Sequence, residues 1–380
     1  MIETNVIGVG AAGNKAAIAL LEAGVLAKNQ ILLINSTLKD IDQKYHDISI
    51  ELEGLDGCAK ERKIAKKMMR DNLEDKTSPM HKINVLGEKD DLAFVTIVCS
   101  AEGGTGSGAS IELARYIYEE LGQYVHLSIL CGFEDDGQGL KNTLEWFKDV
   151  AEADAYTVDA ISNKKFLTAC KGNKRKAEEA ANREFVERIK ILLGKKLLDG
   201  TDNIDDMDLT RITQCKGYMD ILHGEFDRPS SLDEFSSIVD TIIANSKSYP
   251  SDDSCEMSAV MLHRNEKIAD SINYAEDNIT YTYGEPFRRF THTQDSESEN
   301  WIDIIISGRN LPLDIIKDIN DEFQAKRMAH KNRNKLTSDA FEDFDTDDEE
   351  LETFNRRPPK KKKSGSFTNT NKTSTKMDEF

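Results

Sequence analysis

Residues 92–110 read LAFVTIVCSAEGGTGSGAS. The first eight form a near-continuous apolar run, the pattern of a parallel strand covered on both faces. The strand gives way to Gly103, Gly104, Thr105, Gly106, Ser107 and Gly108, and IELARYIYEELG at 111–122 then reads as a helix. Glycines at such a turn let backbone N–H groups crowd around an anion, and the helix N-terminus adds a favourable dipole. A second loop of this kind opens the chain. TNVIGV at 4–9 reads as a strand, Gly8, Gly10 and Gly13 form the loop, and NKAAIALLEAG at 14–24 reads as a helix with Ile18 and Leu21 on its apolar face. Two glycine loops feeding helices of one sheet point to a nucleotide whose phosphates are held from two sides.

Working outward, ILLIN at 31–35 and VHLSILC at 125–131 are further strands, and a charged helix is expected near 60–74. This alternation predicts an α/β fold with a doubly wound parallel sheet. A helical stretch, AEEAANREFVERIKILLGKKLL, runs from about 177 to 198 and leads to an acidic loop at 201–208. Beyond it, strand-like CEMSAVML (255–262), NITYTY (278–283) and WIDIIIS (301–307) alternate with helical runs at 231–246 and 313–333. They predict a smaller α/β domain. Past about 335 apolar periodicity stops, and disorder in the free chain is expected.

Composition sets the limits. A chain of 380 residues suggests two or three domains. No stretch approaches the roughly 20 apolar residues that span a bilayer. MIETNVIGVG has neither the basic nor the apolar region of a signal peptide, so a cytosolic protein without membrane attachment is expected. The six cysteines are irregularly spaced and form no CxxC pair, which predicts buried thiols rather than a zinc site or disulfides. The net charge of −19 is uneven: residues 341–352 carry eight acids, whereas residues 355–380 carry a net +6. The body should repel nucleic acid, and the tail alone can attract it.

Gly8-x-Gly10-x-x-Gly13 also has the spacing of the dinucleotide fingerprint. That fingerprint wants an acid at the end of the second strand to hold a ribose. Here ILLIN ends in Asn35-Ser36-Thr37, and the nearest acid is Asp40. An NAD-dependent oxidoreductase is therefore only a remote alternative.

The GGTGSG loop, after its buried strand, resembles the GGGTG(S/T)G signature of the tubulin/FtsZ superfamily. The resemblance extends in order over most of the first 210 residues. The first loop, with Gly10, Ala11, Ala12 and Asn14, is similar to the family's first phosphate loop. Asn35-Ser36-Thr37 stands where the family has Asn-Thr-Asp. Residues 54–59, GLDGCA, resemble the γ-phosphate loop and nominate Gly57, Cys58 and Ala59. FEDDGQGLK at 133–141 resembles the segment with a ribose acid and a basic residue near the phosphates, with Asp136 and Lys141 as the nearest matches. ISNKKFL and AANREFV resemble the two base-binding segments and nominate Asn163 and Asn182. Asn203-Ile204-Asp205-Asp206-Met207-Asp208-Leu209 resembles the synergy loop that completes the next subunit's active site, with Asn203, Asp205 and Asp208 in catalytic places. One departure is plain: Glu102 replaces the signature's first glycine. A carboxylate there lies close to the phosphates, or points away and caps the helix.

The resemblance implies a GTP-binding domain at 1–176, a central helix at 177–200, a C-terminal activation domain at 201–335 and a disordered tail at 336–380. It implies GTP or GDP with Mg²⁺, GTP hydrolysis and a polar filament of like subunits. The long helix at 313–333 and the acidic stretch after it resemble the TubZ branch. That branch segregates plasmid or phage DNA, its tail recruiting a TubR-like DNA-binding adaptor on centromere-like DNA. An FtsZ-like division protein and a non-hydrolysing scaffold are the other readings of the same motifs.

Overall fold

A computed structural model describes residues 2–54, 57–80, 83, 93–197, 203–227, 229, 231–251, 255–264, 271–295 and 300–338. Leu55, Asp56, the acidic run at 341–352 and the basic tail lie outside the described residues. Residues 1–328 form one compact unit; residues 329–380 form a second, of which 329–338 are described as helical.

The first unit begins with β1 (Glu3–Val9), α1 (Gly10–Glu22), β2 (Ile31–Asn35), β3 (Ser49–Glu51), α2 (Arg62–Glu74), β4 (Ala93–Ser100) and α3 (Gly104–Glu119). It continues with β5 (Val125–Cys131), α4 (Gly137–Ala153), β6 (Thr157–Ser162), α5 (Asn163–Ala169), α6 (Lys174–Leu192) and α7 (Asp206–Thr213). Then follow β7 (Gly217–Glu225), α8 (Leu232–Ala244), β8 (Met257–Arg264), α9 (Ser271–Tyr283), β9 (Arg288–Asp295), β10 (Trp301–Arg309) and α10 (Leu313–Ser338), which runs past the unit's boundary.

Among the described residues, all ten strands belong to one sheet of order β3-β2-β1-β4-β5-β6-β7-β10-β8-β9. Pairing is parallel from β3 through β7; β10 then runs antiparallel to both β7 and β8. The order reverses direction between β1 and β4, and such a switch point opens a crevice at the carboxyl ends of the strands.

Period-two alternation distributes the core. Val6, Leu33, Val98, Leu130 and Ile161 face one layer with α1 and α6, including Ala17, Leu20, Phe185 and Ile189. Ile7, Ile34, Ile97, Leu127, Ile129 and Val158 face the opposite layer with α2, α3 and α4, including Met69, Leu113, Ile117 and Trp146. With both faces covered, β4 and β5 read as continuous apolar runs. At the far end Leu222, Val260, Ile302 and Ile304 pack with Phe235 and Val239 of α8 and Ala275 and Ile279 of α9.

Two expectations change. NITYTY is not a strand but the end of α9. Its buried residues Ser271, Ala275, Ile279 and Tyr283 recur every four positions, so the helical stripe prevails over a short alternating run. The acidic stretch is only partly a loop. Asp205 accepts from the Asp208 N–H at 2.8 Å and Asp208 reaches back to the Asp205 N–H at 3.5 Å, a reciprocal cap that starts α7.

Candidate nucleotide-binding site

The carboxyl ends of β1, β2 and β4 and the N-termini of α1 and α3 enclose a cleft of about 320 Å³. Gly10, Ala11, Ala12, Asn35, Gly57, Cys58, Ala59, Gly103, Gly104, Thr105 and Gly106 all line it. Neither α1 nor α3 has a side-chain cap or an acid in its first turn. Their leading N–H groups and dipoles therefore remain available to an anion. Ser36 and Thr105 meet through their hydroxyls at 3.0 Å across the cleft. The amide Nδ2 of Asn35, only 3% exposed, has no protein acceptor, so a buried donor stands ready at the cleft.

The segment after Gly57 is held in an unusual shape. Ala59 and Lys60 both adopt left-handed backbone, at φ 46° and 62°. Side chains resist that region, at a cost of roughly 1–2 kcal/mol per residue. The conformation lets the Lys60 backbone lie directly on the start of α3, where a Cβ on Gly104 would come within 2.8 Å of it. Asn142 of α4 clasps the arrangement: its Nδ2 donates to the carbonyls of Lys60 and Glu102, both at 3.0 Å, and its Oδ1 accepts from Gln138 at 3.0 Å.

Other nominated residues are not in the lining of the cleft. Asn14 is buried and donates to the Ile34 carbonyl at 3.3 Å, tying α1 to β2. Ser107 is buried and donates to the Gly103 carbonyl. Asp136 caps α4, accepting from the Gln138 N–H at 3.1 Å, and forms an ion pair with Lys60. The Lys60 ammonium holds the Asp136 carboxyl below its usual range. Lys141 projects along α4 toward Glu145 at 3.9 Å, and the basic group in the cleft lining is Lys60 instead. Asn163 opens α5 directly after β6, and its buried Oδ1 has no protein partner. Asn182 lies half-buried on α6, against which α5 packs.

Glu102 turns away from the cleft. Its carboxylate accepts from the Glu134 N–H at 2.9 Å and lies against Gly132 and Gly139. Burial raises its pKa, the Glu134 bond opposing. The β5–α4 loop thus absorbs the charge that the departure from the signature introduces.

Asn203, Asp205 and Asp208 do not line the cleft. Gly217 pairs with Thr157 at the start of β6, and the Thr157 hydroxyl donates to the Cys215 carbonyl at 2.9 Å. The acids at the start of α7, the helix that leads into β7 and packs against the end of α6, therefore belong to the amino edge of the parallel sheet, whereas the cleft sits at its carboxyl edge. The 19 residues of α6 run between those edges, about 28 Å at 1.5 Å per residue.

Sequence reading misses Lys60 and Asn142. The GLDGCA resemblance ends at Ala59, one residue short of the cation. Asn142 is legible only through its contact with Lys60, 82 residues away.

Comparison with solved structures places this geometry among known proteins. TubZ of Clostridium botulinum phage c-st superposes with TM-score 0.67 at 17% identity, covering 87% of this chain and 100% of that one. A GTPγS-form protofilament of TubZ from Bacillus thuringiensis serovar israelensis gives TM-score 0.70 at 17% identity, covering 90% and 94%. A GTPγS-bound protofilament of CetZ2 from Haloferax volcanii gives 0.69 at 15% identity, covering 86% and 100%. No protein-family model and no curated protein matches the sequence.

Proposed function

We propose that this chain, which carries the tubulin/FtsZ-like fold, is a GTPase that assembles head to tail and hydrolyses GTP at the contact between subunits. One observation carries the reading: the glycine cleft and the Asp205–Asp208 pair occupy opposite edges of one sheet. Phosphoryl transfer needs the phosphates neutralised and a water held in line. The N-termini of α1 and α3, Thr105 and Lys60 serve the first need. Asp205 and Asp208 serve the second from a neighbouring copy, orienting the water and accepting its proton. Asn163 and Asn182 hold the guanine, and Asp136 the ribose.

Among the described residues no group of three or more His, Cys, Asp or Glu can hold a metal by itself. That suits Mg²⁺, which keeps several waters and binds through phosphates with one or two carboxylates. Asp40, the carboxylate of the cleft lining, is the residue that fits it. The metal's contribution is to neutralise charge on the phosphates.

The finer role proposed is that of a TubZ-like protein segregating plasmid or phage DNA through a DNA-bound adaptor. The sequence of the basic tail supports it, since phosphate contacts by such a segment are salt-sensitive. Sedimentation with GTP against GDP, at equal salt and Mg²⁺, tests assembly; pelleting with GTP alone is expected. Asp205→Ala should bind nucleotide, release phosphate slowly and give filaments that persist. Phosphate release by that variant at the wild-type rate would remove the role assigned to the pair.

A further inference from the structure

Glu134, in the loop between β5 and α4, adopts left-handed backbone at φ 61° and is 9% exposed. Side chains resist that region, and it persists only where the surroundings over-determine it. Four side chains hold it here. The Glu134 N–H donates to the Glu102 carboxylate at 2.9 Å, and its carbonyl accepts from the Lys326 ammonium of α10 at 2.7 Å. Its carboxylate accepts from the Tyr249 hydroxyl at 2.9 Å and from the Lys164 ammonium of α5 at 2.6 Å. The loop also makes room for Glu102. A Cβ on Gly132 would collide with the Glu102 carboxylate, and one on Gly139 would come within 3.1 Å of the Glu102 Cβ. Glu102 immediately precedes Gly103 of the cleft lining, and Lys164 immediately follows Asn163. Glu134 is thus bonded both to the glycine loop and to the head of α5. Lys326 braces it from 192 residues along the chain, on a helix seated by the buried Ile319.

We propose that Glu102 and Glu134 are positioning residues that fix the guanine-binding segment relative to the phosphate loop, with Lys326 as their brace. Backbone N–H groups at the starts of α1 and α3 hold the phosphates, and their place does not depend on Glu134. The base is read by Asn163 on α5, whose setting against the glycine loop runs through Glu134 and Lys164. Loosening this latch therefore costs base recognition and spares phosphate binding. The inference rests on the GTPase reading above and assigns what sets that site's selectivity for guanine.

Titration of the full chain with GTP and ATP tests it in the wild type, Glu102→Ala, Glu102→Gln and Lys326→Met. Both changes at position 102 remove one negative charge beside the glycine loop, which moves GTP and ATP affinity together and leaves their ratio alone. Glu102→Ala also removes the acceptor of the Glu134 N–H. Its ratio of GTP to ATP affinity should fall about tenfold, the effect of one hydrogen bond to the base lost. Glu102→Gln keeps an acceptor oxygen in nearly the same volume and should retain the wild-type ratio. Lys326→Met, at a side chain 34% exposed, removes the brace and should lower the ratio in the same direction. Should Glu102→Ala not fold, Lys326→Met carries the test. An unchanged ratio in either of these two variants, or a loss shared equally by GTP and ATP, would overturn the assignment. A wild-type chain with no preference for GTP over ATP defeats the guanine reading itself, a result separate from any variant.

Discussion

Asn142→Ala tests whether the loop beside the cleft is held in a strained shape by one buried amide. Asn142 is 0% exposed and makes three side-chain hydrogen bonds, all at 3.0 Å. Each is worth about 0.5–1.5 kcal/mol net, and a buried carbonyl left unpaired costs about 1–3 kcal/mol. Both bonds to the carbonyls are only partly buried, so water relieves part of that penalty and the three lost bonds set the scale. The expected destabilisation is about 3 kcal/mol. The same truncation frees Ala59 and Lys60 to leave left-handed backbone, so the empty loop relaxes and must be reordered on binding. GTP affinity should therefore fall about tenfold, the effect of roughly 1.4 kcal/mol of reordering. Urea unfolding gives the first quantity and nucleotide titration the second. A destabilisation below about 1 kcal/mol, with unchanged GTP affinity, would refute the clasp. Asn142→Asp keeps the volume but turns a donor into an acceptor against two carbonyls; were it to match wild type, packing rather than hydrogen bonding would hold the loop.

Two further outcomes follow from buried charge. Asp159 of β6, 0% exposed, meets Arg188 of α6 at 2.7 Å and His126 of β5 at 2.8 Å. Asp159→Ala strands a buried guanidinium and should cost about 3–5 kcal/mol in urea unfolding; a loss under about 1 kcal/mol would mean that Glu184 and Ser248 suffice for Arg188. His223 of β7 lies against the buried Asp303 of β10. Burial lowers its pKa, but the Asp303 carboxylate outweighs burial and the net shift is upward from 6.5. The folded state thus favours the imidazolium, a stabilisation fully present below pH 6.5 and lost as pH rises through the folded pKa. Unfolding free energies on either side of that window should differ in wild type and converge in His223→Gln; equal slopes in both proteins would discard the pair as the source.

The sequence was legible where burial is symmetric. β4 and β5 are covered on both faces, so their apolar runs announced a parallel sheet, and the glycine loops marked the carboxyl edge where the cleft lies. β6, TVDAIS, is equally buried but carries Asp159, whose partners Arg188 and His126 come from other elements. β7 hides in the same way, its buried Asp220 paired with Arg309 of β10 at 3.2 Å. A charge inside a strand is readable only once its counter-ion is known, and no local pattern supplies that. The cleft divides along the same line. Several residues of the glycine loops line it, but Asn14, Ser107 and Asp136 do not, and the placing of Lys60 and Asn142 depends on a contact between α4 and the segment before α2.

The sheet's polarity constrains how the proposed chemistry can occur. β6 and β7 are parallel, so the chain must cross from the carboxyl edge back to the amino edge between them, and α6 makes that crossing. The cleft and the acidic cap are therefore held apart by a rigid rod about 28 Å long. No side-chain movement brings Asp205 to the cleft of its own chain. Stacking the cap of one copy on the cleft of the next is a heterologous contact, which builds an open filament when the rotation between copies does not close a ring. Turnover by such a protein depends on neighbours, so GTPase rate per subunit should rise with protein concentration and level off once assembly is complete. A rate per subunit that stays constant on dilution to the monomer would place the water-activating groups within a single chain, and Asp205 and Asp208 would lose the role that their position at the amino edge supports.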